Sequence, residues 1–100
     1  MATTSVFLSK DSLIRLELLL TKVKKRRRIN KPSRTIFWEP GYEGEIPTML
    51  NSEAIIFSTE PISELLLEYL KQKLINKGMT PVAVIYPDSK NIEQILEDIL

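Results

Sequence analysis

Eight basic residues fall within the thirteen positions from Lys22 to Arg34: Lys22, Lys24, Lys25, Arg26, Arg27, Arg28, Lys31 and Arg34, with no acid among them. Cations at this density attract phosphate, because each one that neutralises a nucleic-acid phosphate releases condensed counterions. Arginine adds bidentate contacts to the same oxygens. Phe37 and Trp38 follow within ten residues of Arg28. An aromatic ring beside a cationic run suits single-strand binding, where bases stack on the ring while the backbone follows the charge. The tract therefore predicts nucleic-acid contact, with Trp38 as a stacking residue. The same residues have a plainer use. Cations in a helix's last turn interact well with its carbonyl end, and a Glu-rich stretch follows: from Thr35 to Leu70 there are seven Glu and no base.

The two halves of the chain are oppositely charged. Residues 1–50 hold ten bases and five acids, and residues 51–100 hold four and eight, so the net +1 is +5 and −4 combined. Such poles select partners by sign. A dedicated DNA binder is usually basic overall, whereas this chain is nearly neutral. That balance keeps a second reading open: an adaptor or small regulatory subunit that self-associates as a homodimer and docks on a larger protein. Its surface would be the loop at residues 39–53, where Tyr42, Pro40, Pro47, Met49 and Leu50 sit among four glutamates. Exposed Tyr, Met and Leu make interface anchors, and acidic surroundings steer a basic partner. Alternatively, Met49 and Leu50 plug the core.

Catalysis has little to work with. The chain has no Cys and no His, so a thiolate nucleophile, a sulfur-bound metal and the commonest general base are all missing. Ser9-Lys10 and Ser89-Lys90 are neighbours whose side chains point apart. Glu60 and Asp88 could hold a hard cation through oxygen if their strand ends lie side by side. They lack a third carboxylate, and Ser58, Thr59, Glu60, Asp88 and Ser89 are the residue types that cap helices anyway. No enzyme activity, cofactor or metal is expected.

These groups must be held by elements that the apolar spacing predicts. Residues 4–8 form a short β-branched and aromatic strand. Ser9, Asp11 and Ser12 then cap a helix with Leu13, Leu16, Leu20 and Val23 on one stripe. It should run to about Arg27, placing the basic run on its last turns, with Asn30 and Pro32 as stops. Residues 35–38 form a second strand and residues 54–58 a third, apolar on both faces and therefore central. A helix opens around Thr59, Glu60 and Pro61, buries Ile62, Leu65, Leu66, Tyr69, Leu70 and Leu74, and stops at Lys77-Gly78. Residues 81–86 form a fourth strand. Pro87-Asp88-Ser89 leads into a last helix, whose apolar positions Ile92, Ile95, Leu96, Ile99 and Leu100 make a clean stripe.

The order β-α-β-β-α-β-α predicts a single α/β (α+β) domain over residues 1–100. Its sheet is expected to be the ferredoxin-like split β-α-β arrangement, with right-handed crossovers and an added C-terminal helix. That last helix either covers the sheet's second face or serves as a dimer interface. No apolar run approaches the roughly 20 residues that span a bilayer, and the first residues lack a basic leader. A soluble cytoplasmic protein with no membrane partner is expected.

Overall fold

The computed structural model describes residues 4–23, 34–42 and 46–99. Runs rich in Ile, Phe, Val and Thr form the strands, and Leu- and Glu-rich runs form the helices. The elements are β1 (Thr4–Phe7), α1 (Lys10–Lys22), β2 (Arg34–Trp38), β3 (Ser52–Phe57), α2 (Glu64–Asn76), β4 (Met79–Ile85) and α3 (Ile92–Ile99). The four strands make one sheet in the order β1-β2-β3-β4. Every neighbouring pair is parallel, with Val6 beside Phe37, Phe37 beside Ile55 and Ile55 beside Ala83.

The ferredoxin-like arrangement is thereby corrected. A split β-α-β sheet needs an antiparallel return between β2 and β3, but here the connection after Trp38 carries the chain back to the sheet's starting edge. Ile46 of that connection is buried against Ile36, Ala54, Ile56, Leu70, Leu74 and Met79, with Met49 packed alongside. Parallel pairing is possible because this stretch substitutes for a crossover helix.

Side-chain alternation along the strands divides the core in two. On one face Phe37, Ile55, Phe57 and Ile85 meet Leu16 of α1 and Ile92 and Leu96 of α3. On the other, Ile36, Trp38, Ala54 and Ile56 meet Leu70 and Leu74 of α2. The result is three layers, with the apolar stripe of α3 absorbed by its own sheet. Since β1→β2 and β3→β4 step the same way while α1 and α2 lie on opposite faces, the two crossovers have opposite hands. They cannot both be right-handed.

Several boundaries shift for local reasons. Helix α1 closes at Lys22, which lies in its last turn, and the cap residue Val23 is extended at φ −84 and ψ 128; Lys24, Lys25, Arg26, Arg27 and Arg28 lie outside the described residues. The Asn30 and Pro32 stops lie outside the described residues. Helix α2 starts later than expected, with Ser63 as N-cap. The Ser58 hydroxyl donates to the Glu60 carbonyl at 2.6 Å and accepts from the Glu60 N–H at 3.3 Å, holding that stretch in a turn. The expected α2 stripe is also corrected: Leu70 and Leu74 are buried, while Leu65, Leu66 and Tyr69 are exposed. Gly78 takes φ +84, as a helix stop requires, and a Cβ there would lie 2.6 Å from the Leu50 side chain. Strand β3 is central and fully paired. Strand β4 is an edge, blunted by Pro81 and a register irregularity opposite Ala54/Ile55.

Candidate functional site

An all-parallel sheet gathers like ends. The strands' carboxyl ends share one edge with the N-termini of the helices, and their amino ends share the other with the C-termini of α1 and α2. The carboxyl edge is built first from β1, α1 and β2. Ser9 caps α1, accepting from the Ser12 N–H at 3.3 Å. Beside it stands Glu39, the residue after β2, whose backbone N–H donates to the Phe7 carbonyl at 3.1 Å. Its carboxylate accepts from the Ser9 N–H at 2.7 Å and the Ser12 hydroxyl at 2.8 Å.

Partial burial alone would raise the Glu39 carboxyl's pKa, but hydrogen bonds from the Ser9 backbone and the Ser12 and Ser9 hydroxyls outweigh it and hold it below the ordinary value of 4.5. A helix N-terminus favours an anion, and here the chain supplies its own. Because folding lowers this pKa, the contribution is complete above pH ~4.5 and fades as pH falls through the folded value. Glu39→Gln should cost about 1–2 kcal/mol at pH 7. The deficit should shrink as pH falls below 4.5 and through the lowered folded value, as urea melts of both proteins at pH 7 and at successively lower pH would register. A gap independent of pH would remove the charge from the explanation.

The other half of this edge holds Ser58, Thr59 and Glu60 after β3, and Tyr86, Pro87, Asp88 and Ser89 after β4. The two ends are side by side, with the Ser58 N–H on the Ile85 carbonyl at 3.0 Å. Part of their polar surface is used locally, while Thr59, Glu60 and Asp88 are exposed. The Tyr86 hydroxyl accepts from the Ile62 N–H at 3.3 Å, and the Ser89 N–H donates to the Tyr86 carbonyl at 2.9 Å. Among the described residues, no group of three or more Asp, Glu, His or Cys is placed to hold a metal ion.

The amino edge carries the two residues of the basic run that are described. Lys22 ends α1, Arg34 begins β2, and both are exposed. Lys24, Lys25, Arg26, Arg27, Arg28 and Lys31 lie outside the described residues. Lys77, the C-cap of α2, belongs to the same edge.

Trp38 does not join them, and its role as a stacking residue is corrected. Register puts it on the α2 face beside Ile36 and Ile56, where it is 3% exposed. The Lys73 ammonium lies 5.8 Å from the ring centroid, so a base has no access to a free ring face there. Of the loop residues, Ile46 and Met49 plug the core, and Tyr42 and Leu50 are exposed. Sequence reasoning missed Glu39. Its signal was available: a helix opening with Ser9 and Ser12 after one strand, and a Glu directly after the next, are brought together by any parallel β-α-β pair.

No helix among the described residues is long and apolar enough to cross a membrane. Comparison with protein-family models, curated proteins and solved structures finds no match.

Proposed function

We propose that this chain is a non-catalytic binding module that contacts nucleic-acid phosphates along the amino edge of its sheet. The observation that carries this reading is the exposure of Lys22 and Arg34 at that one edge. They bracket a run of bases with no acid, which is therefore tethered there at both ends. Lys24, Lys25, Arg26, Arg27, Arg28 and Lys31 would add phosphate contacts between them. Binding of this kind is mainly electrostatic, set by phosphate contacts that carry no sequence information, and no base-reading residue is nominated.

Titrating labelled single- and double-stranded DNA and RNA at several salt concentrations tests it. Affinity should fall steeply with salt, and Lys22→Ala with Arg34→Ala should flatten the log–log slope on duplex DNA by about 2. Arg26→Ala, Arg27→Ala and Arg28→Ala together should flatten it further and weaken all sequences alike. Absence of binding even at low salt would overturn the reading.

A second reading, a self-associating adaptor, is favoured by a different observation. Helix α2 leaves Leu65, Leu66 and Tyr69 in solvent, neighbouring apolar side chains of the kind that mark interaction sites.

A further inference from the structure

Leu65 is 87% exposed, Tyr69 64% and Leu66 46%. They lie away from Leu67, Leu70 and Leu74, which pack toward the sheet. At 3.6 residues per turn, Leu65 and Tyr69 share a stripe with Leu66 on its flank. Three large apolar side chains within five residues make a patch rather than scattered exposure.

Charge along the same helix is segregated. Glu64 and Glu68 occupy its first half, and Lys71 and Lys73 its second. A helix divided in this way is complementary to its own reversed copy. We propose that this face of α2 is where two copies of the chain pair, antiparallel about a two-fold axis. The inference rests on the self-association reading above and assigns its surface.

A two-fold contact places the same patch on both sides. With the helices reversed about an axis level with the middle of this stripe, Leu65 of one copy packs against Tyr69 of the other, and the Glu64 end of each helix lies along the Lys71 end of its partner. The opposed helix dipoles add to the fit. Within one copy, Lys71 reaches Glu68 at only 3.9 Å, with the Lys71 side chain 40% and the Glu68 side chain 77% exposed. A pair this open is weak, so Lys71 can turn to the partner's Glu64 at little cost. A nucleic acid is a poor occupant here, because Glu60, Glu64 and Glu68 would repel it. Two short helices alone bury less than the ~1,200 Å² of a standard interface. The dimer is therefore concentration-dependent, in the micromolar range or weaker.

Sedimentation equilibrium of the full chain from ~10 to ~500 μM decides it. The wild type should pass from monomer toward dimer. Leu65→Glu and Tyr69→Lys should stay monomeric with unchanged circular dichroism and melting, since neither side chain is in the core. Glu64→Lys and Lys71→Glu should each weaken the dimer roughly threefold to tenfold, and the double variant should restore it. A wild type that is monomeric throughout overturns both the contact and self-association. A wild-type dimer that survives Leu65→Glu overturns this contact and leaves self-association standing.

Discussion

Trp38→Ala is expected to destabilise the fold by about 3–5 kcal/mol and to lower nucleic-acid binding only in proportion to folded protein lost. The ring sits on the α2 face with Ile36, Ile56, Leu70 and Leu74, and its removal leaves a cavity that neighbouring side chains refill only in part. A domain of this size has ~5–15 kcal/mol to lose, so urea titration should show a large shift of the midpoint. Lys73, which lies over the ring, would lose a contact worth about 0.5–1 kcal/mol at an exposed site. Binding should then be measured at a temperature where the variant is folded. A variant with unchanged stability and abolished single-strand affinity would return Trp38 to the nucleic-acid surface.

The Trp38 case shows where local sequence stops being informative. An aromatic beside a cationic run reads equally as platform or core, and the choice depends on which face of the strand a helix covers. Alternation within β2 links Trp38 to Ile36, but only the position of α2 makes that face an interior. The elements themselves were legible. Ala54, Ile55, Ile56 and Phe57 are apolar without alternation, and the strand they form is buried on both faces. Gly78 follows Lys77 as a helix stop, and its φ of +84 bears that out. The α3 stripe reads cleanly because its outward positions are charged or polar.

The stripe of α2 misreads because Leu65, Leu66, Leu67, Tyr69, Leu70, Leu74 and Ile75 surround the helix, more than one face can bury. Strand order lay further out of reach. It turns on where the chain re-enters the sheet at Ser52 after Trp38, parallel to β2, and Ile46 inside a Pro- and Glu-rich loop is a faint sign of that. The candidate site divides likewise: the charge at Lys22 and Arg34 is plain in the sequence, whereas Glu39 on the N-terminus of α1 needs the parallel register of β1 and β2.

Leu96→Asp should abolish folding at 25 °C. Leu96 is fully buried among Leu16, Phe37, Ile55 and Phe57, and no base belongs to that cluster. An ionised carboxylate would have no partner there, and a protonated one would still bury polar atoms without hydrogen bonds. Adding the transfer free energy of the lost leucine brings the loss to the order of 5 kcal/mol or more, comparable to the whole stability of such a domain. Ile95, on the edge of the same cluster, should behave similarly but more mildly as Ile95→Asp. Glu93→Ala, on the exposed face of α3, should shift stability by less than about 0.5 kcal/mol. Far-UV circular dichroism and the dispersion of methyl proton resonances would separate the three variants. A folded, monomeric Leu96→Asp protein would mean that α3 turns its stripe outward to a partner; unfolding of that variant beside an intact Leu65→Glu would mark α3 as core and leave α2 as the apolar helix face open to partners.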